Sequence, residues 1–248
     1  EIYKTKSEKG RIALRRYQFK LAEKYFPSNE LIINEASQVW KWWHFAYTRS
    51  GYYQMIKNGL DKGLRIDTIG MQYHVFDRAP NEKNNVTDMY NPKALFSVLD
   101  TYEKLGKPLQ VTEITIPAYS DTAEDEKIQA ELIENLYSIW FSHKAVEAVI
   151  YWNLVDGYAA WAPQGDMTVG ENIFRGGLLR FDMSKKPAYD MIKHLFTERW
   201  ITNTEAETNG DGTAKFKGFY GDYTITVDDK KFDITLKSNT ENEIKIQL

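Results

Sequence analysis

The sequence contains no cysteine and only 4 histidines among its 248 residues. Without thiols, the chain forms neither disulfides nor cysteine-ligated metal sites. No two histidines stand four residues apart, so the paired histidines of a helical zinc site are absent as well. These absences argue against a disulfide-stapled scaffold and against a histidine-rich metal centre. We predict no metal and no other cofactor.

Long apolar runs and long stripes of positive charge are also missing. No stretch reaches the roughly 18 apolar residues needed to span a membrane. The formal net charge is -3, and no long Lys/Arg stripe offers a nucleic-acid surface. The first ten residues, EIYKTKSEKG, lack the apolar core of a signal peptide. The composition predicts one full-sized globular domain, or a domain plus a small module, with no nucleic-acid partner and no membrane span.

Aromatic residues, in contrast, are abundant. They form 14% of the chain, with 7 Trp and 16 Tyr. One explanation is a core rich in large rings together with some surface tyrosines. The other is sugar binding, because flat indole and phenol faces match the C–H face of a pyranose while their polar tips stay in water. Clustering of the aromatic residues would favour sugar binding.

Strand-like and helix-like patterns alternate along the first 200 residues. Buried-strand patterns cover 31–36, 66–75, 109–116 and 146–154, and helical patterns cover 8–26, 49–62, 91–105, 122–142 and 186–197. Strands that are apolar on both faces and separated by helices predict a parallel sheet covered by helices. A doubly wound sheet would usually carry a Gly-rich phosphate turn after its first strand, and none is present. The pattern therefore favours an α/β fold of the (β/α)8 TIM-barrel type, with four of the eight units in this chain.

The pattern of apolar and polar residues changes after Trp200. Residues 201–248 alternate apolar and polar positions, and pairs such as Asn209-Gly210 and Asp228-Asp229 are typical of turns. We predict a small antiparallel β module over 201–248, which is too short to bury much surface on its own, after a barrel segment over 1–200.

Polar or aromatic residues stand where each predicted strand ends, and active sites of (β/α)8 barrels collect at that edge. They are Asn34, Glu35, Gln72, His74, Glu113, Trp152 and Asn153. Glu113 ends a β-branched run in LQVTEITIPAY. Glycosidic bond cleavage commonly uses two carboxyl groups, about 5–5.5 Å apart when the configuration is retained. Glu113 suits the ionised nucleophile of such a pair, and an ordinary strand-end charge is the alternative.

Five stretches in this order resemble the C-terminal half of the barrel of glycoside hydrolase family 10, the xylanase family. They are LAEKYFPSNELIINEA, IDTIGMQYH, LQVTEITIP, VIYWNLVDGYAAW and GGLLRFDMSKKPAYD. The tail stretch FKGFYGDYTITV is similar to a β module attached to some bacterial members. The resemblance implies a retaining endo-β-glycanase, an endo-1,4-β-xylanase that hydrolyses xylan or xylo-oligosaccharides from plant cell walls. It also implies a bacterial protein with an extracellular, cell-surface or periplasmic location.

The resemblance also implies roles for individual residues. Glu113 would be the catalytic nucleophile, and His74 would hydrogen-bond it and keep it oriented. Gln72 would contact the sugar at the cleavage site, and Asn34 would join the polar network near the acid. Trp152 and Trp161 would form walls of the cleft.

A cluster of aromatic residues, VWKWWHFAY, follows the first predicted strand. We expect at least one of Trp40, Trp42 and Trp43 to stack on a sugar, and Trp40 is our candidate. The alternative is that these rings pack within the loop.

Two positions depart from the family pattern. Thr115 stands where the family usually has an Asp that pairs with the histidine, which leaves the charge state of His74 open. The Asn-Asp pair usual on the fifth barrel strand is Asn34-Glu35 here.

The general acid is not evident in the chain. In the family that the chain resembles, the general acid is on the fourth barrel strand. The order of elements matches the first predicted strand to the fifth barrel strand, one unit after that position. We therefore expect the acid and the first four strands, as well as any signal peptide, upstream of Glu1, although Glu35 as the acid stays an alternative.

These expectations make the N-terminal half of the same barrel a required partner, either covalent or as a separate chain, because open sheet edges invite association. This chain alone is expected to be inactive. Two other functions stay open: the same machinery acting on another β-linked glycan, and a non-catalytic carbohydrate-binding fragment.

Overall fold

The computed structural model describes residues 8–35, 37–41, 47–77, 87–237 and 242–247. By its internal contacts the chain divides into two units, Glu1–Met191 and Ile192–Leu248. The domain boundary predicted from the sequence, at residue 200, lies inside the second of these units. Among the described residues, no helix combines the length and the apolar character needed to cross a membrane.

The first unit is built on a parallel sheet of four strands in the order β1-β2-β3-β4. The strands are β1 Ile32–Ile33, β2 Thr68–His74, β3 Leu109–Thr115 and β4 Val146–Tyr151. Each strand pairs with the next along the chain, and all three pairings are parallel. A doubly wound sheet reverses its strand order at a switch point, whereas consecutive pairing is what the wall of a barrel requires.

In the part of the chain that the structure describes, five α-helices surround or follow these strands. They are α1 Glu8–Tyr25, α2 Gly51–Asp61, α3 Pro92–Glu103, α4 Ala123–Ser142 and α5 Pro187–His194. Three of them begin at side-chain caps, which satisfy backbone N–H groups in the first turn. Ser50 caps α2, Asn91 caps α3 ahead of Pro92, and Thr122 caps α4. These caps explain why the predicted helices begin within two residues of their observed starts.

The core of the first unit contains residues of β2 and β3 together with residues of α3 and α4. Ile69, Met71 and Tyr73 alternate along β2 and are fully buried. Leu99 of α3 and Trp140 of α4 are fully buried as well, and the Tyr73 and Trp140 rings meet edge to face at 5.0 Å. The intervening β2 residues, Gly70, Gln72 and His74, therefore lie on the opposite face of the sheet.

The two outer strands of the sheet are less covered than the inner two. Ile32 of β1 is 41% exposed and Ile150 of β4 is 47% exposed. Every residue of β4 is at least partly exposed. A parallel sheet normally has both faces covered, whereas these two strands expose apolar side chains.

The second unit contains an antiparallel hairpin of β5 Gly221–Val227 and β6 Lys230–Leu236. Its two-residue turn is Asp228-Asp229, and both residues have positive φ, 48° and 65°. Two central residues with positive φ are the requirement of a type I′ hairpin turn, which matches the twist of the strands. The predicted turn at Asp228-Asp229 is therefore confirmed.

A buried ion pair fixes the long loop that follows β4. Lys186 Nζ lies 3.2 Å from Asp156 Oδ2 and donates to the Arg175 carbonyl at 2.7 Å. Asp156 Oδ1 accepts from the Gly177 N–H at 2.7 Å. Burial raises the pKa of Asp156 and lowers that of Lys186, so each group depends on the charge of the other to stay ionised.

The variant Lys186→Met is expected to lower the free energy of unfolding by about 3–5 kcal/mol, because Asp156 would stay buried without its counter-charge. Urea unfolding of both proteins measures the difference. Lys127→Met, which removes an exposed lysine of α4, is the matched control and should change stability by less than about 0.5 kcal/mol. A Lys186→Met protein as stable as this control would mean that the pair does not hold the loop.

Candidate functional site

Glu113 of β3 lies at the centre of a cluster of polar side chains from three neighbouring strands. Its Oε1 accepts from Gln72 Nε2 at 3.0 Å and from Asn34 Nδ2 at 3.2 Å. Its Oε2 lies 3.3 Å from His74 Nε2. The carboxyl ends of parallel strands meet at one edge, and the register places Gln72 beside Glu113 and His74 beside Thr115. Asn34, Gln72, His74 and Glu113 are thus brought together.

The chemistry of the partners defines how His74 is protonated when it is neutral. A carboxylate can only accept, so the His74 nitrogen that faces Glu113, Nε2, carries the hydrogen. The other nitrogen, Nδ1, lies 2.9 Å from Thr115 Oγ1 and accepts from that hydroxyl. The imidazole is thereby fixed at both ends.

The charge on His74 depends on competing effects. Burial lowers its pKa, while the hydrogen bond and charge of Glu113, and the charge of Glu171, act in the opposite direction. Phe76 stacks on the imidazole with ring centroids 4.6 Å apart, and Trp152 meets it edge-on at 5.9 Å. Two aromatic rings thus limit the access of water to the histidine.

A close backbone approach supports the cluster from below. Thr112 Oγ1 donates to Asn34 Oδ1 at 2.7 Å, which fixes the amide so that its nitrogen faces Glu113. Gly70 lies beneath this contact, where a Cβ atom would come within 2.7 Å of Asn34 Oδ1 and 2.9 Å of Thr112 Cγ2. Sequence reasoning missed Gly70 and Thr112, although a glycine inside a strand is a recognised signal of close approach.

Trp152 and Trp161 both lie in the chain that follows β4, but they differ in environment. Trp152 is partly buried, and its Nε1 donates to Glu171 at 3.1 Å. Trp161 is 101% exposed and has a φ of 63°. A bulky residue rarely adopts this left-handed conformation, and strained residues of this kind cluster at functional sites. The exposure excludes a core role for Trp161 within the described part of the chain, and its role in a cleft stays a prediction.

Trp40 has a different position from the one expected of a sugar platform. Its side chain is 0% exposed, its Nε1 donates to the Gln72 carbonyl at 2.7 Å, and its ring meets that of Tyr73 at 5.3 Å. A ring without a free face cannot stack on a sugar, so we reassign Trp40 to the core. Trp42 and Trp43 lie outside the described residues.

Glu35 faces away from the cluster. The Gln72 N–H donates to the Glu35 carbonyl at 3.2 Å, so the extended course of β1 continues past Ile33. Asn34 points toward Glu113, and successive side chains of an extended chain alternate between faces. Burial raises the pKa of Glu35 to about 8, partly offset by the Val39 N–H, and Tyr102 of α3 is among its electrostatic neighbours. Glu35 therefore belongs to the layer between sheet and helices, which does not support it as the acid partner of Glu113.

One group of side chains in the described part of the chain has the spacing of metal ligands. Its members are Asp100, Glu103 and His143. Lys144 Nζ lies 2.7 Å from Glu103, and His143 Nε2 lies 3.3 Å from Asp100. The carboxylates thus have cationic or hydrogen-bonding partners within the protein, and the group is explained as a surface polar network.

Comparison with known proteins places this geometry in context. The family model described as Glycosyl hydrolase family 10 matches residues 14–195. Endo-1,4-beta-xylanase B of Thermotoga neapolitana is 29% identical over 153 residues, which cover 59% of this chain and 39% of the xylanase. Anti-sigma-I factor RsgI6 of Acetivibrio thermocellus is 29% identical over 181 residues, which cover 72% of this chain and 20% of that protein.

Among solved structures, native xylanase 10B from Thermotoga maritima is similar with a TM-score of 0.55 and 25% identity. The match covers 75% of this chain and 52% of the xylanase. The chain thus spans about half of this solved xylanase and less than half of both curated relatives. The family match covers most of the chain and includes all four strands of the parallel sheet. The chain belongs to glycosyl hydrolase family 10.

Proposed function

We propose that this chain is the C-terminal half of a retaining endo-β-glycanase, an endo-1,4-β-xylanase that hydrolyses xylan. The observation that carries the proposal is the setting of Glu113. Its carboxylate lies at the carboxyl end of a barrel-type strand, with Asn34 and Gln72 on one oxygen and His74 at the other. Such a carboxylate is held in one orientation toward the cleft, as a nucleophile must be.

In the proposed reaction, Glu113 attacks the anomeric carbon of the sugar at the cleavage site. A glycosyl ester forms while the bond from that carbon to the leaving oxygen breaks, and a general acid protonates that oxygen. The same residue, now ionised, then takes a proton from a water molecule. That water attacks the anomeric carbon, which breaks the ester and restores the Glu113 carboxylate. Gln72 and Asn34 contact the sugar or order the carboxylate, and Trp152 and Trp161 form walls of the cleft.

The general acid is proposed to come from the N-terminal half of the barrel, either covalently joined or as a separate chain. Retention requires a second carboxyl group about 5–5.5 Å from the nucleophile, and Glu35 faces away from Glu113. The coverage of the relatives supports a missing half, since the match includes only 52% of the solved xylanase. The exposed apolar residues Ile32 and Ile150 fit a surface that packs on further strands. Without this half the chain is expected to be inactive.

The substrate also suggests a location. Xylan is a plant cell-wall polymer too large to cross a membrane unaided, so we propose an extracellular, cell-surface or periplasmic location. The bacterial source that we propose rests on the resemblance alone. The absent half would form much of the cleft and would therefore help to select the substrate. Our proposal accordingly includes an alternative, in which the same catalytic residues act on another β-linked glycan. Assays on xylan, cellulose and mixed-linkage glucan separate these substrates.

A second candidate is carbohydrate recognition without turnover. Its support is that one relative, which matches 72% of this chain, is named for regulation, as an anti-sigma-I factor, and not for catalysis. Binding of xylo-oligosaccharides with no release of reducing ends by the complete protein would support this candidate. Release of reducing ends would support the enzyme.

The variant Glu113→Ala in the complete protein is expected to lower turnover by about 10⁴-fold or more, the scale of effect seen when a nucleophile is removed. Azide should restore activity on an activated xyloside and give a product of inverted configuration, because the small anion occupies the space of the lost carboxylate. Glu131→Ala, at an exposed position of α4, is the control. Unchanged hydrolysis by Glu113→Ala would overturn the assignment.

The variant Trp161→Ala is expected to weaken binding of xylo-oligosaccharides by about 1–3 kcal/mol, the loss of one stacking ring. Because Trp161 is fully exposed, the melting temperature should not change. Isothermal titration calorimetry and thermal unfolding measure the two quantities. Tyr25→Ala, which removes an exposed ring from α1, is the matched control, and equal affinity of both variants would exclude Trp161 from the cleft.

The variant Thr115→Asp is expected to raise the pKa of His74, because a negative charge near Nδ1 favours the imidazolium. Glu113 and Glu171 already act in this direction. The neutral variant Thr115→Asn is the control for shape. An NMR titration of His74 should give the higher pKa in Thr115→Asp, and any activity that needs the histidine cation should extend to more alkaline pH. A pKa equal to or below that in Thr115→Asn would contradict the expectation.

A further inference from the structure

A short 3-10 helix, Gly170–Phe174, lies in the long loop after β4 and carries a second carboxylate toward the site. Glu171 is partly buried, and its Oε2 accepts from Trp152 Nε1 at 3.1 Å and from Asn153 Nδ2 at 3.0 Å. An indole N–H and an amide N–H₂ can only donate, so both contacts require an acceptor at this point. Hydrogen bonds to a charged acceptor are also stronger than neutral ones.

These contacts determine how the Trp152 indole is oriented. The backbone N–H of Trp152 donates to the Ile114 carbonyl at 2.9 Å, which holds its main chain against β3. The hydrogen bond to Glu171 then selects the rotation of the ring. In that rotation the indole meets His74 edge-on, with ring centroids 5.9 Å apart and an interplanar angle of 80°. The Trp152 indole is thus in contact with both Glu171 and His74.

Asn153 contributes a backbone constraint. Its φ of 59° lies in the left-handed region, which asparagine tolerates better than most other residues. Here the chain leaves the direction of β4, and the Asn153 amide is held by the same carboxylate oxygen as Trp152. One oxygen therefore fixes both residues of the turn.

The 3-10 helix that carries Glu171 is itself anchored on two sides. Asn172 Oδ1 accepts from the Ala159 N–H at 3.0 Å, and Asn172 Nδ2 donates to the Asp166 carbonyl at 2.9 Å. The Phe174 carbonyl accepts from the Ala118 and Tyr119 N–H groups at 3.1 and 3.2 Å. The position of the Glu171 carboxylate is therefore set by the β4 loop and by the segment after β3 together.

The charge of Glu171 has an electrostatic consequence. Together with Glu113, it raises the pKa of His74 against the effect of burial. The residue on the other side of the imidazole, Thr115, is neutral. Glu171 thus supplies a second negative charge that acts on the histidine from the loop instead of from β3.

We propose that Glu171 is a positioning residue of the nucleophile site, which holds the Trp152 indole against His74 and thereby keeps His74 hydrogen-bonded to Glu113. The inference rests on the proposed function, since it assigns Glu171 to the same reaction. It distinguishes two contributions of one side chain: an acceptor for Trp152 and Asn153, and a charge near His74.

Two variants separate these contributions in the complete protein. Glu171→Gln keeps an oxygen acceptor but loses the charge, whereas Glu171→Leu loses both. Four quantities are measured: hydrogen exchange of the Trp152 indole N–H by NMR, the pKa of His74, and kcat and KM on a xylo-oligosaccharide. Trp152→Phe assigns the indole signal, and Glu131→Leu on the exposed surface of α4 is the control.

In Glu171→Leu, indole exchange should accelerate by about 10- to 100-fold, the equivalent of one hydrogen bond to a charged group. The kcat should fall by about 10- to 100-fold, the scale produced by small misplacements in an active site. In Glu171→Gln, exchange should stay slow and most of the kcat should return, while the pKa of His74 falls. Glu131→Leu should match the wild type.

Unchanged indole exchange in Glu171→Leu would overturn the role of Glu171, and so would an equal loss of kcat in the Leu and Gln variants. Absence of hydrolysis by the wild-type protein would instead contradict the proposed function. The two failures are distinguishable, because indole exchange and the His74 titration do not require turnover.

Discussion

The hydrogen bonds to Glu113 are the interaction on which the rest of the site depends. They join three neighbouring parallel strands at one edge, since Asn34 follows β1, Gln72 and His74 end β2, and Glu113 lies on β3. Because both oxygens of this carboxylate have hydrogen-bond partners, it can rotate only by breaking those hydrogen bonds. The glycine at position 70 serves this geometry, because a larger residue would separate the Asn34 amide from its hydroxyl partner.

The loop after β4 supplies the other side of the site, and buried polar contacts hold it. Lys186 and Asp156 are both nearly inaccessible, and their pairing fixes the loop where it turns back toward the sheet. Glu171 fixes the opposite part, where Trp152 meets the histidine. Long loops without such contacts sample many conformations, so the aromatic wall proposed for this loop depends on them.

Much of the fold and part of the site could be predicted from the sequence, and the reasons are physical. Apolar periodicity and caps locate elements, and polar residues at the ends of parallel strands must converge, which is why Gln72, His74 and Glu113 were found together. Trp40 was misplaced because aromatic content does not reveal whether a ring has a free face. Glu171 was missed because its contacts are made by an irregular loop, whose course no periodic pattern predicts.

In the proposed reaction, Glu113 forms a covalent bond to the sugar. A 2-deoxy-2-fluoro xylobioside with a good leaving group should inactivate the complete protein. The fluorine slows both formation and breakdown of the glycosyl ester, and the good leaving group accelerates formation only, so the ester accumulates. Mass spectrometry of a protease digest should then find one fluoro-xylobiosyl group, attached to Glu113 in the peptide that contains LQVTEITIPAY. A label on a different carboxylate, or turnover of the reagent with no label, would contradict the account.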